Sequence, residues 1–301
     1  MSKKAFILIL ILLSFFIHRL LYGAEVSIVV SIYPLEDITK NIGKERVSVK
    51  TLIPPGASPH AFEPKPSDIK ELTKASMFIK IGAGLELWSE GFVRSAKKSI
   101  RIVDLSETIE LLKGQDHQSH HGHSNSHFRH QHEIDPHYWL DPVIAKSMVD
   151  RITAELIRID PSSKDFYITN ATNYKKELDS LNERIKERLS RLKKKRFVAF
   201  HPAWNYFSKR YGLEPLYIVE ATGRELRPKN IKYIVDWMKK ENIKVVFGEV
   251  QFNPQIAEAI ASEAGARLLM LDPIGSPYIP ERNSYINLLL YNITQLEEAL
   301  R

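Results

Sequence analysis

From about Ser163 the chain carries apolar residues at helical spacing for some thirty residues: Tyr174, Leu178, Leu181, Ile185, Leu189 and Leu192 follow one another at steps of four, three, four, four and three. Such a stripe turns one face of a single helix towards a partner surface along its whole length. A helix of this size is about 45 Å long at 1.5 Å per residue, enough to run from one lobe to another. The competing reading, a coiled-coil dimer, would rest on only two or three heptads. Strand and helix patterns alternate on both sides of the stripe, and that alternation decides the architecture.

On the N-terminal side, Val26 to Tyr33 (VSIVVSIY) is β-branched and apolar up to Pro34 and reads as a buried strand. A short helix over Leu35 to Ile42 stops at Gly43, and Val47 to Ile53 alternates as a second strand. The proline-rich loop from Pro54 to Asp68 stays out of regular structure, and Ser67 is the expected cap of a helix through Lys74. A third strand over Met77 to Gly82, a helix over Leu85 to Lys98 and a short fourth strand over Ile100 to Val103 complete this part. Asp141 and Pro142 then open a helical stretch to Asp160, which Pro161 breaks.

Beyond the long helix the rhythm returns. Strands are expected at Phe197 to Phe200, Leu216 to Val219, Lys244 to Phe247 and Arg267 to Met270, with helices at Trp204 to Tyr211, Pro228 to Glu241, Pro254 to Ala264 and Asn283 to Leu300. The fold class is therefore α/β: two similar lobes with parallel-rich sheets, joined by one long rigid linking helix, with a cleft between them. The expected division is 25–140 for the N-terminal lobe, 141–195 for the helical segment and 196–301 for the C-terminal lobe. Strand ends facing a crevice are where such sheets place ligands.

Histidine is distributed unevenly. Eight of the eleven lie between Asp116 and Pro142, in DHQSHHGHSNSHFRHQHEIDPHYWLDP. The first part of this stretch, the histidine-rich loop 116–132, is polar and without apolar periodicity, so His117, His120, His121, His123, His127, His130 and His132 read as accessory metal contacts on a loop. The second part is different: two prolines and two aromatics around His137 suit one imidazole held in a chosen direction. Neutral imidazole is a common ligand for zinc, copper and nickel, and the chain has no cysteine to compete.

Outside the tract and the leader only His60, His137 and His201 remain. Each sits beside a proline, at a strand end or in a rigid loop. A lone histidine in such a place is usually structural, but three of them, two from the first lobe and one from the second, are able to converge at the cleft as three nitrogen ligands. A fourth ligand should be an oxygen. Asp272, in the Leu271–Gly275 run LDPIG after a strand, is the first candidate, and Glu249, ending KVVFGEV, is the runner-up. Three imidazoles and a carboxylate suit the tetrahedral preference of zinc.

The ends and the charge narrow the setting. Lys3 and Lys4, the apolar run Ala5 to Ile17 and the small residues Gly23 and Ala24 lay out a signal peptide over residues 1–24. His18, Arg19 and Tyr22 are untidy for cleavage, which keeps an uncleaved anchor as the alternative. The absence of cysteine excludes a disulfide framework and a lipid-bearing N-terminal cysteine. Formal net charge is +7, and falls to +4 when Lys3, Lys4 and Arg19 leave with the leader. Charges of both signs are scattered, and no basic face interleaved with aromatics speaks for nucleic acid.

Taken together, GASPHAFEPKPSD, DPHYWLDP, FHPAWNYF, FGEVQFNP and LDPIG resemble the metal-binding extracytoplasmic solute-binding proteins of ABC transporters, specifically the zinc branch. The resemblance covers nearly all of the mature chain. It implies two α/β lobes on a rigid helix, zinc between them on His60, His137 and His201 with Asp272 completing the shell, and a histidine tract that collects or senses the ion. The manganese branch typically has glutamate where this chain has His201. A free, monomeric periplasmic protein that hands zinc to an inner-membrane ABC permease is the expectation, with no enzyme activity. The alternatives are a zinc-dependent hydrolase, which the absence of an HExxH motif disfavours, a manganese-binding transporter component, and an adhesin or surface interaction protein.

Overall fold

The computed structural model describes residues 25–96, 100–113, 134–218 and 228–301. The leader 1–24 and the seven histidines from His117 to His132 lie outside the described residues.

Among the described residues, eight strands form two sheets of four. The first holds β1 (Val26–Val30), β2 (Val47–Thr51), β3 (Met77–Lys80) and β4 (Arg101–Asp104) in the order β2-β1-β3-β4. The second holds β5 (Arg196–Ala199), β6 (Glu214–Tyr217), β7 (Val245–Glu249) and β8 (Arg267–Leu271) in the order β6-β5-β7-β8. Every pairing is parallel, and the two orders are equivalent. A parallel sheet needs both faces covered, which is why β1 and β7 read as nearly unbroken apolar runs.

The long helix spans Lys164–Ser190, 27 residues, after a 3-10 turn at Pro161–Ser163. Tyr167, Ala171, Tyr174, Leu178, Leu181, Ile185 and Leu189 are its buried stripe, so the expected face is the packed one and extends about two turns further towards the N-terminus. It lies against the helices Tyr33–Gly43, Pro142–Ile159 and Tyr285–Leu300, and thus touches both lobes. Leu178 is fully buried here, where truncation to alanine costs about 2–5 kcal/mol.

One apolar core runs through the joint between the lobes. It includes Val30, Tyr138 and Trp139 from the first lobe, the linking-helix stripe, and Trp204, Phe207 and Leu289 from the second. Two smaller cores lie outboard, one around Phe78 and Phe92 in the first lobe and one around Val246 and Met238 in the second. Hydrogen bonds cross the joint as well. Trp139 Nε1 donates to Pro273 O at 2.8 Å, Tyr285 OH to Trp139 O at 2.6 Å and Tyr33 OH to Asn283 O at 2.5 Å. The Tyr285 amide donates across the joint to half-buried Asp37.

Two local expectations need correction. Of the helix expected over Leu85 to Lys98, the described residues form a helix over Ser89–Ser95, and residues 97–98 lie outside them. Gly82, Ala83 and Gly84 all take positive φ, and the buried Glu86 carboxylate accepts the Ile81 and Gly82 amides, which holds a tight turn where the helix would begin. Nor does Ser67 cap the next helix. Pro66 occupies its first turn, and Asp68 reaches back to accept the Lys65 amide at 2.8 Å. Asp141, by contrast, does cap Pro142–Ile159, accepting from the Val143 amide at 2.8 Å.

Candidate metal centre

All three scarce histidines sit on loops that leave the C-terminal edges of strands. His60 hangs on the proline-rich loop after β2, His137 follows β4 and the histidine tract, and His201 comes directly after β5. The chain brings them together: His60 Nε2 lies 3.2 Å from His137 Nε2, and His201 Nε2 lies 3.3 Å from the same atom. Among the described residues this is the one group of three or more His, Asp or Glu side chains placed to hold a metal ion.

The separations are informative. Tetrahedral zinc with Zn–N near 2.05 Å puts its ligand nitrogens roughly 3.3 Å apart. Which protons the rings carry follows from what stands behind them. Asp135 Oδ1 lies 2.8 Å from His137 Nδ1 and also accepts the His137 amide, so Nδ1 carries the hydrogen and Nε2 presents a lone pair. Behind His201, Glu249 Oε2 lies 2.6 Å from Nδ1 and Oε1 accepts the His201 amide at 3.3 Å. The Oε2 contact is off the hydrogen-bonding line, and we read it as a carboxylate charge set beside the ring. A carboxylate thus stands near the Nδ1 of both rings, and the lone pair of His137 Nε2 faces His201 Nε2 at 3.3 Å. Carboxylate–histidine pairs of this kind are how proteins orient imidazole ligands and raise their basicity.

Asp135 is itself held from the other lobe. Its Oδ2 accepts from Asn205 Nδ2 at 3.0 Å, Asn205 Oδ1 accepts from Tyr217 OH at 2.7 Å, and Tyr206 OH donates to the Asp135 carbonyl. His137 and His201 are both almost fully buried, and burial pushes His137 below the usual imidazole range against the opposing pull of Asp135. A buried imidazole that resists protonation is ready to ligate. His60 is only half-buried. Its loop is pinned beside it, where the Phe62 ring meets Trp88 at 5.0 Å and Trp88 meets Phe92 at 5.5 Å.

Neither expected oxygen ligand joins the trio. Asp272 is buried, but Oδ2 accepts from Arg282 Nη1 at 2.8 Å, while Oδ1 accepts from Gln251 Nε2 and from the Ile274 and Gly275 amides. A carboxylate so fully engaged serves the loop after β8. Glu249 stands behind His201, at its Nδ1 and its amide, and outside the group of three. The sequence reading missed Asp135, Asn205 and Arg282; the DPH spacing was the available signal for Asp135, because a residue two before a histidine reaches its Nδ1. The cavity at the trio is about 10 Å³, the room of one ion or one water.

Two parallel α/β lobes on one long helix, with histidines converging at their junction, define a metal-binding solute-binding protein. The chain belongs to the family of ZnuA, zinc-uptake complex component A, periplasmic, whose pattern it matches over residues 28–299. It is 30% identical to the high-affinity zinc uptake system protein ZnuA of Bacillus subtilis, over 92% of this chain and 88% of that one. A ZnuA crystal structure superposes with a TM-score of 0.82 at 30% identity, covering 92% of this chain and all of the other. The laminin-binding protein of Streptococcus agalactiae, described as bifunctional with adhesin and metal transporting activity, superposes at 0.80 with 30% identity, over 92% of this chain and all of that one.

Proposed function

We propose that this protein captures Zn²⁺ between its lobes in the periplasm and delivers it to the permease of an ABC transporter, with His60, His137 and His201 as its ligands. The observation that carries this reading is that the His60 and His201 Nε2 atoms each lie from His137 Nε2 at about the edge length of a zinc tetrahedron, with all three ligand atoms within 4.8 Å of one another and a carboxylate beside two of the rings. Three nitrogens and, among the described residues lining the cavity, no Asp or Glu suit zinc better than manganese, which prefers carboxylate and water. Membership of the zinc-uptake family and a ZnuA deletion mutant solved with zinc bound, similar at 29% identity and a TM-score of 0.80 over 92% of this chain and 98% of that one, support it.

The protein acts by binding and release, as a monomer, without chemistry on the ion. Asp135, Glu249 and Asp272 are each turned to another partner, so none of them is offered as a base to a metal-bound water. Among the described residues no helix is long and apolar enough to cross a membrane, and export rests on the leader over residues 1–24. The histidine tract gathers zinc ahead of the cleft site. The shared core and the hydrogen bonds across the joint oppose a wide hinge, so exchange proceeds through the His60 loop. Calorimetric titration with zinc and with manganese tests the assignment: one tight zinc site, far weaker manganese binding and loss of that site in H137A are expected. Full zinc affinity in H137A would overturn it.

A further inference from the structure

Zinc prefers four ligands, and the trio supplies three. The wall around it is mostly apolar, built from Pro59, Trp139, Phe252, Pro273 and Ile274. Gln251, two residues past the end of β7, is a polar exception. Its Nε2 donates to Asp272 Oδ1 at 2.9 Å. That carboxylate has only acceptors to offer, since it also takes hydrogen bonds from two backbone amides and from Arg282. The orientation of the Gln251 amide is thereby fixed, with its nitrogen towards Asp272 and its oxygen away from it. Gln251 Oε1 is buried and has no hydrogen-bond partner among the described residues.

Gln251 lines the metal cavity, and its buried carbonyl oxygen calls for a donor. We infer that Gln251 Oε1 accepts the hydrogen bond of a water ligated at the fourth position of the ion. A neutral amide oxygen is not among the usual protein ligands of zinc, yet it is a good acceptor for a zinc-bound water. It is also not a base at neutral pH, so it steadies that water without removing its proton. Asp272 and Arg282 then serve the site one step back, by holding the amide that holds the water. The carboxylate that the sequence offered as fourth ligand thus contributes through Gln251.

This inference rests on the trio being the zinc site, and the test separates the two. Whole protein carrying Q251M, close in length but without the amide acceptor, is compared with wild type and H137A. Zinc affinity is read by chelator competition, and the visible absorption of protein loaded with one equivalent of Co²⁺ reports the ligand field. The Q251M variant is expected to bind zinc about tenfold more weakly, the size typical of removing a group behind a metal's ligands, with altered Co²⁺ bands. If Q251M fails to fold, Q251N, which draws the amide back by one methylene, is expected to give the same two changes. Unchanged affinity and unchanged bands in the variant that folds would overturn the role of Gln251 while leaving the trio in place. Zinc binding by H137A equal to wild type would overturn the trio and the role of Gln251 with it.

Discussion

His137 and His201 differ from His60 in how they are held. The first two are buried and have a carboxylate near Nδ1; Asp135 is tied in turn to Asn205 in the opposite lobe. His60 is half-buried on a loop with several prolines, beside the packing of Phe62 on Trp88. The fixed pair makes a floor that keeps its geometry without the ion. On the proposed ligand set, the third imidazole comes from a proline-rich loop outside regular structure, which is the kind of element able to open at low cost. Such a division lets one site bind tightly and still release.

The largest expected effect breaks the floor. H137A and H201A should each weaken zinc binding by roughly 100- to 1000-fold, since a structural zinc site gathers about 10–16 kcal/mol from four ligands; chelator competition measures it. H60A removes a ligand too, but it also removes the cost of ordering a loop, so a loss of about 100-fold or less is expected in the same assay. Equal losses at all three positions would dissolve the distinction between floor and arm.

Weakening the supports should matter less. D135N keeps the shape but removes the charge behind His137, and about a tenfold loss of zinc affinity is expected. F62A touches no ligand; it should raise the zinc dissociation rate several-fold in stopped-flow exchange while changing the association rate little. Small-angle scattering should show only a slight compaction when zinc is added, because wide closure would have to break the core that includes both Trp139 and Trp204. A large change in radius would contradict that.

Much of this was legible in the residues. The stripe from Tyr174 to Leu189 placed the linking helix, and alternation placed all eight strands to within a few residues, because buried parallel strands and amphipathic helices have distinct periods. The trio stood out by scarcity beside prolines. What could not be read was which neighbour each buried carboxylate faces. Asp272 is claimed by Arg282, ten residues on and past a turn, and Glu249 by the ring of His201 from another strand. Those pairings are set by the packing of loops after β5, β7 and β8, and no period in the sequence encodes them. The turn at Gly82–Gly84 was hidden for the same reason, since it depends on Glu86 reaching back to two amides.

The most direct test of the account is a calorimetric titration with zinc of the protein lacking residues 116–132. One tight site at a stoichiometry of one, with only weaker binding lost relative to the whole chain, is the predicted result. Loss of all zinc binding on that deletion would place the site in the histidine tract and reduce the junction of His60, His137 and His201 to a matter of packing.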